Sequence, residues 1–194
     1  MRSGEFTALV ISGFVLAASP ANAEVVRATT EHGVHPQTGI ESWQFRDAGI
    51  EVLLMQITPD QARAFFLGRG FERGDVEHYA ASCVFMTLVK NKTAFPVDYR
   101  LGDWRYSRGD RVERKLKLKD EWLVEWKARG VSQSSRIAFE WSQHPVDQTL
   151  ESGDWNQGMT TFVVPHGDRF DLTVKWKTGD GDHAGTIREV RCAE

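Results

Sequence analysis

Cysteine, proline and long apolar runs are all scarce in this chain, and each shortage excludes a class of protein. Two cysteines among 194 residues are too few for a small disulfide-built domain or an all-cysteine zinc site. Six prolines and 17 glycines exclude a collagenous or low-complexity chain. The apolar stretch near the N-terminus, residues 7–18, is shorter than the about 20 residues that a membrane-spanning helix needs. The composition, 41% hydrophobic and 26% charged, is that of an ordinary globular protein.

The motifs of several enzyme classes are absent as well. The chain has no H-E-x-x-H metalloprotease motif, no phosphate-binding G-x-x-x-x-G-K and no dinucleotide-binding G-x-G-x-x-G. It also lacks C-x-x-C, which argues against thioredoxin-like chemistry. Residues 130–134 begin like the G-x-S-x-G nucleophile turn, but Ser134 occupies the position of the second glycine. No motif therefore assigns the chain to an enzyme class.

The N-terminus has the order of a secretory signal peptide. Arg2 precedes the apolar residues 7–18, and the small residues Ala21 and Ala23 follow in an A-x-A pattern. We expect cleavage after Ala23, so that residues 1–23 are a signal peptide and residues 24–194 form a single domain. The mature protein is then expected in the periplasm or outside the cell, without a membrane span.

Export determines how the two cysteines are interpreted. In an oxidising compartment an even pair most often forms a disulfide, so we expect Cys83 to be bonded to Cys192. Such a bond closes a loop of over one hundred residues, which the chain-entropy model values at roughly 4–5 kcal/mol. It would also tie the end of the chain into the fold.

Apolar patterns predict a chain made mainly of strands. Residues 50–57 form a nearly continuous apolar run, which is typical of a buried strand. Residues 170–176 alternate apolar and polar side chains, as in a strand with one buried face. Residues 137–141 alternate in the same way, so we interpret them as a strand, although the preceding serines would also suit the start of a helix. Further strands are predicted near residues 43–45, 80–90, 95–101, 159–164 and 186–192.

Two short helices interrupt the predicted strands. Thr58 suits an N-cap, Pro59 suits the first helical position, and Gly68 can end the helix. Residues 120–129 also read as a helix, because Trp122 and Trp126 fall on one face. We find no internal repeat along the sequence.

Seven to nine strands with turns between them favour an antiparallel β-sandwich. Residues 91–97, Asn-Lys-Thr-Ala-Phe-Pro-Val, and residues 165–172, Pro-His-Gly-Asp-Arg-Phe-Asp-Leu, resemble segments of extracytoplasmic immunoglobulin-like domains. That resemblance covers short stretches and implies a fold but no activity. The fold expected is mainly β, an antiparallel immunoglobulin-like β-sandwich with two short helical insertions.

Histidines and methionines in an exported chain raise the possibility of copper handling, because copper favours soft and imidazole ligands. The candidate ligands are His32, His35, His144, Met159 and His166. The alternative for each lone histidine is a solvated or hydrogen-bonded structural residue.

Among the tryptophans, Trp122, Trp126, Trp141 and Trp176 fall at positions that the pattern predicts to be buried. The positions of Trp43, Trp104 and Trp155 are left open.

Positive charge is concentrated in one segment of a chain whose net charge is −3. Residues 105–119 carry seven basic and two acidic side chains. The segment is a candidate surface for an acidic protein or an anionic envelope surface, whereas nucleic acid does not suit an exported acidic chain. The alternative is an ordinary solvated strand or loop. The basic residues are Arg105, Arg108, Arg111, Arg114, Lys115, Lys117 and Lys119.

Two functional hypotheses follow. The first is an exported, non-enzymatic binding or accessory protein, with copper handling as one version of it. The second is a β-sandwich hydrolase that acts on carbohydrate or cell-envelope polymer, with Asp154 or Asp171 near Trp155 as its site.

Overall fold

The computed structural model describes residues 28–194, so the predicted signal peptide lies outside the described residues. Two antiparallel sheets face each other, and a layer of helices covers the outer side of the first sheet. The prediction of a mainly β sandwich with short helices is confirmed.

The first sheet contains five strands in the order β1-β2-β3-β4-β9. Its strands β2 and β3 form a hairpin in which Phe45 pairs with Val52, and a turn at Ala48-Gly49 joins them with positive φ at both residues. The apolar run of β3 is the buried strand that the sequence predicted. The bounds are β1 Thr29–Val34, β2 Glu41–Asp47, β3 Ile50–Ile57, β4 Cys83–Asn91 and β9 Trp155–Phe162.

The second sheet contains six strands in the order β7-β6-β10-β5-β8, and β11 pairs with the other edge of β10. Strand β10 alternates buried residues such as Leu172 and Trp176 with exposed ones such as Lys175, as the sequence predicted. The described chain therefore has eleven strands, more than the predicted seven to nine. The bounds are β5 Val97–Arg100, β6 Arg105–Ser107, β7 Arg114–Lys115, β8 Asp147–Leu150, β10 Arg169–Thr178 and β11 Gly181–Arg191.

The main core lies between the two sheets and is rich in aromatic side chains. Phe85, Phe162 and Phe170 contact one another with ring centroids 4.8 to 6.0 Å apart. The expected disulfide between Cys83 and Cys192 is present at the margin of this core, with the two Cα atoms 5.4 Å apart. It joins the start of β4 to the end of the chain.

Four α-helices are present among the described residues, so the expectation of two helical insertions is corrected. They are α1 Pro59–Leu67, α2 Arg73–Ala80, α3 Lys119–Ala128 and α4 Gln133–Ser142. The strand interpretation of residues 137–141 is wrong, because these residues lie in α4. The Ser132 side chain caps this helix by accepting from Ser135 N. Ser135 and Phe139, four residues apart, are its buried positions, so the helical period prevails over the alternation.

The two helix pairs have the same order of elements at a spacing of sixty residues, a similarity of structure that the sequence does not show as a repeat. Gly70 and Gly130 lie in the turn that follows the first helix of each pair, and both have φ of +78°. The residue after each glycine donates a backbone hydrogen bond back to the helix, from Phe71 N to Phe66 O in the first pair and from Val131 N to Trp126 O in the second. The sequence conceals this repeat because few side chains are identical between the two copies.

Aromatic residues from both helix pairs form a second core above the first sheet. Phe66 and Phe139 lie 5.5 Å apart between ring centroids, and Trp122 stacks on Trp126 at 5.1 Å. Val84 of β4 and Met159 of β9 complete this core from below. Both helix pairs are therefore anchored to the same sheet, and their outer sides remain free to carry function.

Candidate functional site

The five candidate copper ligands are dispersed over separate environments. His32 lies on β1, where its Nε2 is 2.7 Å from Glu41 and its ring stacks on Trp43 at 5.0 Å. His35 lies in the following turn, and its Nδ1 accepts from the backbone N–H groups of residues 37 and 38. These two histidines therefore make separate local contacts.

The third histidine is buried. His144 is 1% exposed, and its Nδ1 is 3.1 Å from the carbonyl oxygen of Pro145. Burial lowers the pKa of His144 to about 4, so the ring is neutral at pH 7. Its Nε2 has no hydrogen-bond partner within residues 28–194. The ring packs against Tyr99, on the side of the sheet that faces the main core.

The backbone of Met159 lies close to that of His144, but the Met159 side chain packs on the opposite side of the sheet. His144 N donates to Met159 O at 3.0 Å, whereas the Met159 side chain belongs to the helix core, with Sδ 3.8 Å from the Tyr79 hydroxyl. His166 is elsewhere again, with its Nδ1 2.9 Å from Ala193 O and its Nε2 3.0 Å from Ala80 O. No group of three or more His, Cys, Asp or Glu in residues 28–194 could hold a metal ion.

The carboxylates named for the hydrolase hypothesis lie near opposite ends of β4. Asp154 accepts from Glu151 N at 3.1 Å, and its backbone bonds to Asn91 at the end of β4. Asp171 lies on β10 and accepts from Glu189 N at 2.9 Å. This part of β10 is adjacent to the disulfide, which lies at the start of β4. Asp154 lies at the other end of β4, and this nine-residue strand separates its two ends by about 25 Å. Each carboxylate stabilises a local turn or bulge, so the two do not form a pair that flanks a substrate.

Most of the basic segment is already neutralised. Lys117 pairs with Glu125 at 2.7 Å, and Arg114 pairs with Asp110 at 2.5 Å, which holds the pKa of Asp110 near 2. Four of the seven basic residues form ion pairs, and Arg105 instead donates to two backbone carbonyls. The remaining ion pairs are Arg108 with Asp168 and Lys119 with Glu140. Local pairs therefore involve four of the seven basic residues, whereas Arg111 and Lys115 are exposed and form no ion pair within residues 28–194.

A groove of about 1070 Å³ lies on the outer face of the second sheet. Its lining carries charges of both signs on neighbouring strands, for example Lys177 of β10 between Asp98 of β5 and Asp182 of β11. Four acidic residues oppose four basic ones and one histidine, so the groove has no net preference for an anion or a cation. Its charged residues are Asp98, Asp103, Asp147, Asp182, Arg100, Arg105, Lys175, Lys177 and His183.

Two large apolar side chains are exposed on α4. Trp141 is 86% exposed and Ile137, one turn earlier on α4, is 48% exposed. Leu123 of α3 is the third member of this set and is partly buried. We call Leu123, Ile137 and Trp141 the apolar face of the second helix pair. An indole exposed to this degree is uncommon in a folded chain and typical of a contact surface.

The first helix pair carries different side chains at the equivalent positions. The residues sixty positions earlier are Arg63, Glu77 and Ala81. Arg63 and Glu77 form an ion pair across α1 and α2 with N–O distances of 3.0 Å. The same backbone arrangement thus carries a polar pair in one copy and an apolar face in the other.

Sequence reasoning missed this face because it placed Trp141 among the buried tryptophans. Trp122, Trp126 and Trp176 are buried as predicted, while Trp141 is exposed because α4 turns it away from Phe139. The start signal at Ser132 and the i, i+4 spacing of Ile137 and Trp141 would have indicated the correct face. Of the tryptophans left open, Trp43 and Trp104 are buried and Trp155 is half-exposed.

Comparisons with known proteins do not identify a family. No family model matches the chain, and no curated protein matches it. A crystal structure of a Bacillus subtilis protein named a "putative lipoprotein" has 10% sequence identity and a TM-score of 0.34, covering 85% of this chain and 35% of that one. The chain thus spans about a third of that protein. Within residues 28–194, no helix is long and apolar enough to cross a membrane.

Proposed function

We propose that this protein is an exported, non-enzymatic binding module that captures a partner protein on the apolar face of its second helix pair. The observation that carries the proposal is the exposure of Trp141 and Ile137 at positions where the first helix pair has a polar residue pair. Large aromatic side chains are the usual anchors of protein interfaces, because they bury much apolar area at little entropic cost. A rigid helix pair presents such an anchor without reorganisation.

Export is supported by the residue pattern of the N-terminus and by the disulfide. A bond between Cys83 and Cys192 suits an oxidising compartment. The proposal places the mature protein in the periplasm or outside the cell, beginning at Glu24. Mass spectrometry of the protein recovered from its own cells would detect that N-terminus, whereas a retained Met1 in the fractionated envelope would contradict it.

Photo-crosslinking in the source cells tests the docking face directly. Benzoylphenylalanine placed at Ile137 leaves Trp141 intact and lies within the proposed contact. We expect a discrete crosslinked adduct that is lost when Trp141→Ser is added. Benzoylphenylalanine at Trp155, which is half-exposed on β9, is the matched control and should not give that adduct. A search that finds no adduct at position 137, or one that survives Trp141→Ser, would overturn the proposal.

The hydrolase hypothesis has less support. Its two carboxylates are separated and engaged with backbone N–H groups, and the large groove contains no buried carboxylate pair among the described residues. The copper version of the binding hypothesis lacks an assembled set of ligands within residues 28–194.

A further inference from the structure

Arg136 is a partly buried cation on the same helix as Ile137 and Trp141. It precedes Ile137 on α4, and its Nε atom is buried without a hydrogen-bond partner. The described residues 28–194 supply no ion pair to its guanidinium, although sixteen ion pairs occur among them. The equivalent residue in the first helix pair is Val76, which is buried in the helix core. A cation therefore occupies a position where the fold accepts an apolar side chain.

The neighbouring acidic group on α4 is already engaged. Glu140, one turn after Arg136, lies 3.9 Å from Lys119 in an ion pair. An arginine that is partly withdrawn from water gains most from a carboxylate that accepts two of its parallel N–H groups. Leaving such a charge without a partner is unfavourable. The surface thus combines an apolar anchor with a cation that has no anion of its own.

The size of the face argues for a short segment rather than for a second copy of this chain. A stable protein–protein interface buries about 800 Å² on each partner. Three side chains, of which Leu123 and Ile137 are already partly covered, provide much less than that. A peptide-like segment that covers one tryptophan and pairs with one charge fits the available surface.

We propose that the partner binds through a short acidic amphipathic segment, whose apolar side chains cover Ile137 and Trp141 while a carboxylate pairs with Arg136. This inference rests on the proposed function and adds the chemistry of the partner to it. Arg136 then contributes selectivity for an acidic segment, and Trp141 contributes the greater part of the affinity.

Selection from a random 12-residue peptide display library tests the inference without knowledge of the partner. The immobilised mature protein selects, and the Trp141→Ser variant removes peptides that bind elsewhere. We expect the surviving peptides to be enriched in large apolar residues together with Asp or Glu. Selection on Arg136→Glu should shift that enrichment to Lys and Arg. Arg73→Glu, a charge reversal at an exposed position of α2, should leave it unchanged.

The affinity of one enriched acidic peptide, synthesised and measured by fluorescence anisotropy, makes the test quantitative. Arg136→Gln should weaken its binding about tenfold, and Trp141→Ser should abolish it, with circular dichroism confirming that both variants are folded. Peptides that need Trp141 but show no acidic preference would overturn this inference and leave the docking face in place. The absence of any peptide that needs Trp141 would overturn both.

Two other occupants have their own signatures. Sedimentation of the wild-type protein that shows a dimer lost on Trp141→Ser would assign the face to a second copy and overturn the inference. Binding to vesicles of anionic phospholipid that is lost on the same substitution would assign it to a membrane surface and overturn it equally.

Discussion

Arg129, at the end of α3, donates a hydrogen bond from Nε to the Asp75 carboxylate of α2 at 2.6 Å, and this ion pair joins the two helix pairs. The residues at the positions equivalent to Arg129 and Asp75 in the other helix pairs do not form a matching ion pair. Sixty residues earlier, Arg69 donates to Phe65 O and stacks over the Phe65 ring, because Ser135 stands where an acid equivalent to Asp75 would be. Ser135 instead donates to Gly70 O at 3.0 Å. One ion pair and one neutral hydrogen bond therefore link the two helix pairs at these equivalent positions, in addition to the shared aromatic core.

Removing the acid of this pair should destabilise the helix layer. Asp75 has a side chain only 12% exposed, so Asp75→Ala leaves Arg129 without its anion. We expect the free energy of unfolding to fall by about 2 kcal/mol, measured by urea denaturation. Asp60→Ala removes the anion of a pair whose carboxylate is 92% exposed and should cost less than about 0.5 kcal/mol. Equal effects of the two substitutions would show that burial does not govern this pair.

Loss of the disulfide should produce a larger effect. Cys83 and Cys192 are 109 residues apart in the sequence, so the reduced unfolded chain gains the freedom of a long loop. Replacing both by Ala should lower the free energy of unfolding by about 4 kcal/mol in the chain-entropy model. Guanidinium denaturation of the oxidised protein, the reduced protein and the double variant measures this difference. Midpoints that coincide for all three would contradict it.

The buried imidazole of His144 should make stability depend on pH. Its pKa is lowered to about 4 in the folded protein by burial, against 6.5 for the free side chain. Between these two pKa values the unfolded chain binds more protons than the folded protein. The free energy of unfolding should therefore fall as the pH decreases from 6.5 to 4, and the contribution of His144 should be complete above pH 6.5. The contribution of His144 is about 3 kcal/mol across that window.

Comparison with a His144→Gln variant isolates this contribution from the carboxylates, which titrate mainly at lower pH. Urea denaturation between pH 4 and 7 should give a shallower pH dependence for the variant than for the wild type. Parallel curves for the two proteins, or an NMR titration midpoint for His144 near 6.5, would show that the imidazole is not desolvated in the folded state.

Glycine should be required at position 158. The loop at Gln143 and His144 crosses β9 so closely that a Cβ on Gly158 would collide with the backbone of both residues. We expect Gly158→Ala to destabilise the protein by at least about 2 kcal/mol, because backbone rather than a mobile side chain must move. Gly74→Ala on α2 meets no atom within 4 Å and should leave stability unchanged or slightly raised. Thermal unfolding of the two variants gives the comparison. A Gly158→Ala protein as stable as the wild type would show that the loop at Gln143 and His144 does not pass this close to β9.

Strand prediction succeeded where one face of a strand is buried against the main core. The alternation in β10 is predicted correctly because burial of one face imposes a period of two on the side chains, whereas β3 is predicted from its nearly continuous apolar run. Strand β1 was missed because all six of its residues are exposed, so no apolar pattern marks it. Helix α2 was missed because its N-cap, Glu72, makes no side-chain capping bond and its residues are mainly polar.

The candidate site could not be predicted for a different reason. Whether Trp141 is buried depends on whether residues 137–141 are a strand or a helix, and a five-residue alternation fits both. Arg136 reads as an ordinary surface cation in the sequence. Its lack of an anion becomes visible only when the positions of Glu140 and Lys119 are known.

The sequence by itself determined the mainly β class, the pairing of the two cysteines and the helices that begin near Thr58 and Asp120. These follow from local periods, caps and composition, which act within a few residues along the chain. The tertiary structure decided the layer of two repeated helix pairs, the separation of the candidate metal ligands and the exposure of Trp141. Those properties depend on which distant residues approach one another, because burial and ion pairing are set by neighbours in space and not by neighbours in sequence.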